Sequence, residues 1–433
     1  MTTRRTFLGL LSLPLAASLP LPRRAHGGPS TPDAGPALMP ADLGVRDDET
    51  FWTALRTQFT IPPGQAFFNT ATLGSSPRAV QEALTTSIQH VCRDICDWDY
   101  KPDHENFFTG YYPEMPSRDL LATTLNCSGR DVALTHNATF GMNFVANGLD
   151  LRPGDEVVVT NQAHPGGRKG FDLRAKRDGI VVREIIVPEP PESPDQLIQL
   201  YLDATTARTR VWAIPHVSSS RAIRYPVTRL CALARERGIW SVVDGAQSHG
   251  HVAVDVQAMG CDAFYGSPHK WLLAPVGTGV LYVRPERQRE LWTTLASSAW
   301  DDQADPMYRL MQYGTGSISV LLGLDVAVTF HNQIGSMRIQ QRDFALADRL
   351  RAGLATIPGA RIVSPTHPEL TCGTTVYGLA NRTGGQIQDY LWEQGQVRVR
   401  SMGDPIGVRH ACHIYNSPAE VDRALELLRQ LAA

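Results

Sequence analysis

Residues 262–284, DAFYGSPHKWLLAPVGTGVLYVR, set one lysine, Lys270, between two short apolar runs. DAFYGS has the length and apolar character of a strand, and GTGVLYVR is a second strand entered through a glycine turn. Lys270 therefore falls on the loop that joins two buried elements. A lysine held among apolar residues loses hydration as a cation, which favours the neutral amine that attacks an aldehyde. An arbitrary lysine at a strand end instead keeps its ammonium in water, so the surrounding sequence has to decide between the two.

Upstream, residues 240–251 read WSVVDGAQSHGH. The apolar run Trp240–Val243 delivers Asp244 to the carboxyl end of a parallel strand, the edge at which open α/β sheets bind ligands. Further apolar runs, EVVVT, IVVREIIV and RVWAIPHV, alternate with helical or turn segments, the pattern of a mostly parallel sheet covered on both faces. A dinucleotide-binding domain is the rival within the α/β class. No GxGxxG follows the first strand, however, and GTGVLYVR enters a strand rather than a helix. Pyridoxal phosphate asks for two protein groups with separate tasks: a lysine for its aldehyde carbon, and a carboxylate that keeps the pyridine nitrogen protonated. Lys270 and Asp244, 26 positions apart, answer to both.

DGAQ followed by SPHKW and GTGVLYVR resembles the class V aminotransferase family of fold-type I pyridoxal-phosphate enzymes. That family includes isopenicillin N epimerase, cysteine desulfurases and related amino-acid lyases, and the resemblance runs from about Phe67 to the end of the chain. It implies an α/β fold with a mostly parallel central sheet in a large domain, residues 65–310. A smaller α+β domain would take residues 48–64 and 311–433. It also implies a site. Ala138 and Thr139 in THNATFGMN match the helix-start turn that holds the cofactor phosphate, with Ser267 and His269 as further phosphate contacts. His164 matches the histidine stacked on the ring, Gln247 the partner of the ring hydroxyl, and Lys270 with Asp244 the catalytic pair. Thr315 in YGTGS matches a threonine that reaches the neighbouring subunit's phosphate, which implies a homodimer with shared sites. Arg409 in VRHACHIYNSPAEVD matches the arginine that grips the substrate carboxylate, where a planar two-pronged donor suits better than lysine. Asn69 in FFNTATLGSSP joins it as a substrate contact.

Three departures narrow the implied chemistry. Desulfurases need a cysteine on a loop shortly before the substrate arginine, because a thiolate attacks the sulfur. The loop VRVRSMGDPIGVR has none, and Cys412 falls in a strand as a small core residue. In PHVSSSRAIRYPV, a serine run and Ala222 stand where relatives carry an asparagine and a later glycine, leaving Ser218 or Ser219 to contact the cofactor. Ala163 stands where many relatives carry an acid before the stacking histidine.

The start of the chain, MTTRRTFLGLLSLPLAASLPLPRRAHGG, carries a twin-arginine motif, a modest apolar stretch and then Arg23 and Arg24. The apolar part is too short and too broken by proline for a transmembrane helix. Residues 1–27 thus read as a leader for the twin-arginine translocase, cut near Ala25–Gly28, and residues 28–47 as a Pro- and Gly-rich linker. That route exports folded proteins, and a pyridoxal enzyme folds around a cofactor made in the cytoplasm, so the expected location is the periplasm.

The 433 residues suffice for a large core, and losing residues 1–27 removes four arginines and takes the net charge from −2 to −6. Without a basic face, nucleic acid is not an expected partner. Seven cysteines scattered without ligand spacing argue against a metal site. The expected activity is chemistry at the α-carbon of a small-molecule or peptide-linked amino acid. By resemblance to exported family members that tailor the siderophore pyoverdine, this is transamination or oxidative decarboxylation of a glutamate group in a secreted peptide. Epimerisation, racemisation or lyase chemistry of the isopenicillin N epimerase type is the alternative.

Overall fold

In the computed structural model, which describes residues 37–44, 48–97, 116–314 and 316–433, the apolar runs become strands. The leader, Thr315, and the linker apart from residues 37–44 lie outside the described residues. Residues 37–44 do not stand away from the body: Leu38 N–H donates to Gln58 Oε1 (2.6 Å) and Ala41 N–H to Gln333 Oε1 (3.3 Å).

A two-residue strand, β1 (Ala66–Phe67), comes first. β2 (Val132–Thr135), β3 (Glu156–Thr160), β4 (Val181–Ile185), β5 (Thr209–Pro215), β6 (Trp240–Asp244), β7 (Ala263–Gly266) and β8 (Gly279–Val283) then form a seven-stranded sheet in the order β2-β8-β7-β6-β5-β3-β4. β4, β3, β5, β6 and β7 pair in parallel, and β8 runs antiparallel to both β7 and β2. β3, β7 and β8 are buried along their whole length, as strands covered on both faces must be.

The parallel register aligns the carboxyl ends, with Pro215 opposite Asp244 and Asp244 opposite Tyr265. One edge of the sheet therefore carries the turn after β2 with Ala138 and Thr139, and the turn after β3 with His164. On the same edge lie Ser218 after β5, Asp244 and Gln247 at the end of β6, and Ser267 to Lys270 after β7. This edge is where the fold builds its site.

The remaining strands are β9 (Ala360–Ile362), β10 (Thr374–Leu379), β11 (Val397–Arg398), β12 (Arg400–Ser401) and β13 (Val408–Ala411). β12-β13-β10-β9 make an antiparallel sheet, packed on helices Ser336–Leu354, Gly384–Gly395 and Pro418–Ala432 through Leu346, Leu350, Leu391 and Leu428. β11 pairs with β1, and Asn69 bridges to Ala411, so the entry segment is stitched to the end of the chain beside Arg409. The helical stretch after Thr315 is two helices, Ile318–Ile334 and Ser336–Leu354, broken at Gly335, whose φ of 93° suits glycine. The first of them gives Leu324, Ala327 and Val328 to the core of the large sheet, although its sequence position groups it with the small domain. Among the described residues no single helix is long and apolar enough to cross a membrane.

The loop bearing Lys270 is held from several sides. Gly74 N–H donates to the His269 carbonyl (3.0 Å), and a Cβ at Gly74 would lie 2.0 Å from the Lys270 carbonyl oxygen, so only glycine allows this approach. The buried Trp271 donates its indole N–H to Gln247 Oε1 (2.9 Å) and stacks on His251 at 3.8 Å and 8°. Its carbonyl accepts from His413 Nε2 (2.9 Å), while His413 Nδ1 lies 2.9 Å from Asp343 Oδ2. Both members of that pair are fully buried, 0% exposed, and burial pushes the Asp343 carboxyl up to about 6 against the pull of His413. Removing one partner leaves the other buried without its match, so His413→Ala is expected to cost about 3–5 kcal/mol in urea unfolding. Asp343→Ala in the same chain should add much less than its own single cost, and simple additivity in the double-mutant cycle would show that the two do not act as a pair.

Candidate active site

The helix Ala138–Gly148 starts where it does because Asn137 caps it, its Oδ1 accepting from Phe140 N–H (3.1 Å). Its first amide, Ala138 N–H, donates to Ser267 Oγ (3.0 Å), and the Thr139 N–H has no protein partner among the described residues. Thr139 is exposed, and its hydroxyl lies so close to Gly166 that a Cβ there would come within 2.5 Å. His269 donates from Nδ1 to the Thr278 carbonyl (3.2 Å), and burial, then the neighbouring Lys270, pull its pKa down. A helix N-terminus and two hydroxyls form a donor set suited to a phosphate, with the His269 ring beside them.

Lys270 and Asp244 occupy the middle of the site. Each keeps some accessible surface, yet desolvation is the largest influence on both. It pulls the Lys270 amine down to about 8 and pushes the Asp244 carboxyl up, while each partially offsets the shift of the other. They interact through space without pairing: among the described residues Lys270 Nζ has no hydrogen bond and no carboxylate within 4.0 Å. Asp244 Oδ1 accepts from Ala246 N–H (2.9 Å), and Oδ2 has no hydrogen-bond partner among the described residues. A Cβ on Gly167 would come within 2.3 Å of Oδ2. His164 is exposed, with Nδ1 accepting from Gly166 N–H (3.1 Å), which fixes the hydrogen of the neutral ring on Nε2. Burial lowers its pKa, and Lys270, Asp244, Arg409 and Arg400 all act on it, which places these five groups in one field. Gln247 spends one amide hydrogen on the Ala71 carbonyl (2.8 Å) and its oxygen on Trp271, and keeps a second amide hydrogen for a ligand.

Arg409 is 4% exposed and has no acid within salt-bridge distance among the described residues. It donates to the Ser219 carbonyl (2.9 Å), Thr72 Oγ1 (2.8 Å) and Asn69 Oδ1 (3.4 Å), and its Nε is buried without a partner. Burial, then Arg400, pull its pKa down to about 10. The sequence reading includes Arg409 and Asn69 but misses Thr72 and Arg400. Arg400 donates to Thr72 Oγ1 (2.9 Å) from β12. Its signal was there, in the alternation of arginines at 398 and 400.

Around the site, Ser218 Oγ accepts from Ile223 N–H (3.1 Å) and closes its own turn, while Ser219 contributes its carbonyl to Arg409. Ala222 sits at φ 56°, in the left-handed region that favours glycine. Cys412 is buried just beyond β13, and burial pushes its thiol well up, the state of a packing residue rather than a nucleophile.

Residues 115–424 match the model of the family described as aminotransferase class-V. The isopenicillin N epimerase of Amycolatopsis lactamdurans is 30% identical over 404 residues, 88% of this chain and 99% of its own length. That of Streptomyces clavuligerus is 29% identical over 399 residues, covering 88% and 98%. Among solved structures, an apo cysteine desulfurase from Thermococcus onnurineus superposes with a TM-score of 0.76 at 22% identity, covering 90% of this chain and 99% of that one. With its mostly parallel sheet and its lysine and carboxylate at one sheet edge, the chain belongs to the aminotransferase class-V family of pyridoxal-phosphate-dependent enzymes.

Proposed function

We propose that this protein is an exported enzyme that acts at the α-carbon of an amino-acid moiety in a secreted peptide metabolite, such as the glutamate group of a siderophore, by transamination or decarboxylation. The observation that carries this reading is a set of unspent charges in one site: a desolvated amine and a desolvated carboxylate oxygen at the edge of the large sheet, and a buried guanidinium from β13 of the second sheet, none of them in an ion pair among the described residues. These residues fit the cofactor, because Gly167 leaves open the space in front of Asp244 Oδ2 that a side chain would fill, and the Thr139 amide with the Thr139 and Ser267 hydroxyls suits its phosphate.

When bound, pyridoxal phosphate supplies the electron sink that makes the bonds of the α-carbon breakable. Asp244 would hold the proton on the ring nitrogen, its own charge sustained by the Ala246 N–H and Lys270. His164, neutral and exposed, would present a flat face to the ring, and Gln247 its second amide hydrogen. Arg409 would take the substrate carboxylate and so set which α-carbon bond stands across the ring. Lys270, its amine lowered to about 8, would carry a proton to and from the α-carbon near neutral pH. The twin-arginine leader supports a periplasmic address, and the position of Thr315 in its motif supports a homodimer with shared sites.

Epimerisation is the second reading, favoured by the two isopenicillin N epimerases that match over 88% of the chain. It needs a proton donor on the face of the substrate opposite Lys270. Mass spectrometry after incubation with glutamate-terminated peptides in deuterated water separates the two readings. Loss of carbon dioxide or replacement of the amine by a keto group supports the first, and α-deuteration with no other change supports the second. No change with any peptide would contradict both. The cofactor assignment has its own check. Lys270→Ala should lose the visible absorbance of lysine-bound pyridoxal, and the wild-type apoprotein should take up the cofactor faster as pH rises, levelling off above about 8 as the amine loses its proton. An unchanged spectrum in the variant would refute the assignment.

A further inference from the structure

β12 and β13 pair so that Arg400 stands directly opposite Arg409. Like charges at opposed positions repel, and folding gains nothing from placing them there. Both nonetheless donate to a single acceptor, Thr72 Oγ1, at 2.9 and 2.8 Å, and that hydroxyl is itself oriented by donating to Asn69 Oδ1 at 2.8 Å. Among the described residues no carboxylate lies within salt-bridge distance of either arginine. Arg409 Nε is buried without a partner, and Arg400 makes no side-chain hydrogen bond apart from that to Thr72. The other arginines on this part of the chain are accommodated: Arg398 lies 3.9 Å over the Trp392 ring, and Arg361 donates to the Pro405 carbonyl. Arg400 and Arg409 both act electrostatically on Lys270 and His164, whereas at His269, on the phosphate side, the charge that acts is Lys270. The pair therefore faces the substrate end of the site.

We infer that Arg400 and Arg409 form a clamp for a substrate bearing two carboxylates, Arg409 holding the one on the reacting carbon and Arg400 the second. Opposed residues in an antiparallel pair have Cβ atoms about 4.5–5.5 Å apart, a separation that the two ends of a short dicarboxylic amino acid can bridge. Thr72 holds both guanidinium groups in place before the substrate arrives, so little side-chain freedom remains to be lost on binding. Arg400 is then the specificity-determining residue. It lies on the exposed side of the pair, where the second carboxylate enters last. The inference rests on the proposed action at an amino-acid α-carbon and narrows the substrate to a free dicarboxylic amino acid, because a glutamate linked into a peptide through one carboxyl keeps only the other.

The test titrates the pyridoxal-loaded protein with L-glutamate, L-glutamine and L-norvaline, following the change in cofactor absorbance on binding. Glutamate is expected to bind about ten- to a hundredfold tighter than glutamine, the range of one charge-assisted contact. Arg400→Gln should bring the two within about twofold, and Arg400→Lys should keep part of the preference. Equal binding of glutamate and glutamine by the wild type, or a preference that survives in Arg400→Gln, would overturn the clamp and leave the proposed function standing. A cofactor spectrum that no amino acid perturbs would likewise overturn the clamp, while the function is decided by the glutamate-terminated peptides.

Discussion

An amine and a carboxylate are kept in each other's field and out of each other's reach, and most of the structure around them serves that separation. Were Lys270 and Asp244 to close into an ion pair, each would satisfy the other and the site would be inert. Instead desolvation acts on both, lowering the amine and raising the carboxyl, and their mutual attraction corrects the shifts only in part. Such a pair of opposed, unspent charges is unfavourable in an empty interior. The proposed cofactor would relieve both groups, supplying a cationic nitrogen for Asp244 to hold and an electrophilic carbon for Lys270.

The sheet keeps the two groups apart by register. Asp244 closes β6, while Lys270 lies four residues past the end of β7, where the loop is fixed by Gly74 on one side and by Trp271 on the other. Trp271 in turn is anchored by Gln247 from β6's own edge and by the Asp343–His413 pair from the second sheet's side of the molecule. The loop that carries the amine is thus tied to both parts of the core. The entry segment completes the arrangement: β1 pairs with β11, and Asn69 and Thr72 reach Arg409 and Arg400 across more than 300 positions of sequence.

What the sequence made legible was whatever is local. The runs EVVVT, WSVVD and GVLYV announce buried strands by composition, and an asparagine before ATFGMN announces the helix start. Lys270, Asp244, His164 and Arg409 could be picked out because each sits in a short motif at a strand end. Thr72, Arg400 and the Asp343–His413 pair could not, because their meaning lies in contacts between distant segments and none has a local pattern of its own. Ser218 has a second task that the motif order does not show. Its place in the order of motifs points to the cofactor, and its oxygen also accepts from Ile223 N–H in the turn where Ala222 takes a left-handed conformation, which leaves the hydroxyl hydrogen free to donate. The break at Gly335 divided a helical stretch that apolar content alone left continuous.

The chain has four lysines, Lys101, Lys169, Lys176 and Lys270, which makes the central assignment open to one direct measurement. Lys169 and Lys176 lie exposed on the helix Lys169–Asp178, with Lys169 bound to Asp172, and neither shares the field of Asp244. Lys101 lies outside the described residues. Borohydride treatment of the pyridoxal-loaded protein followed by peptide mapping fixes the cofactor on the side chain that holds it. The account predicts a pyridoxyl group on the peptide that carries SPHKW, at Lys270. A pyridoxyl group found instead at Lys101, Lys169 or Lys176, with Lys270 unmodified, would contradict it.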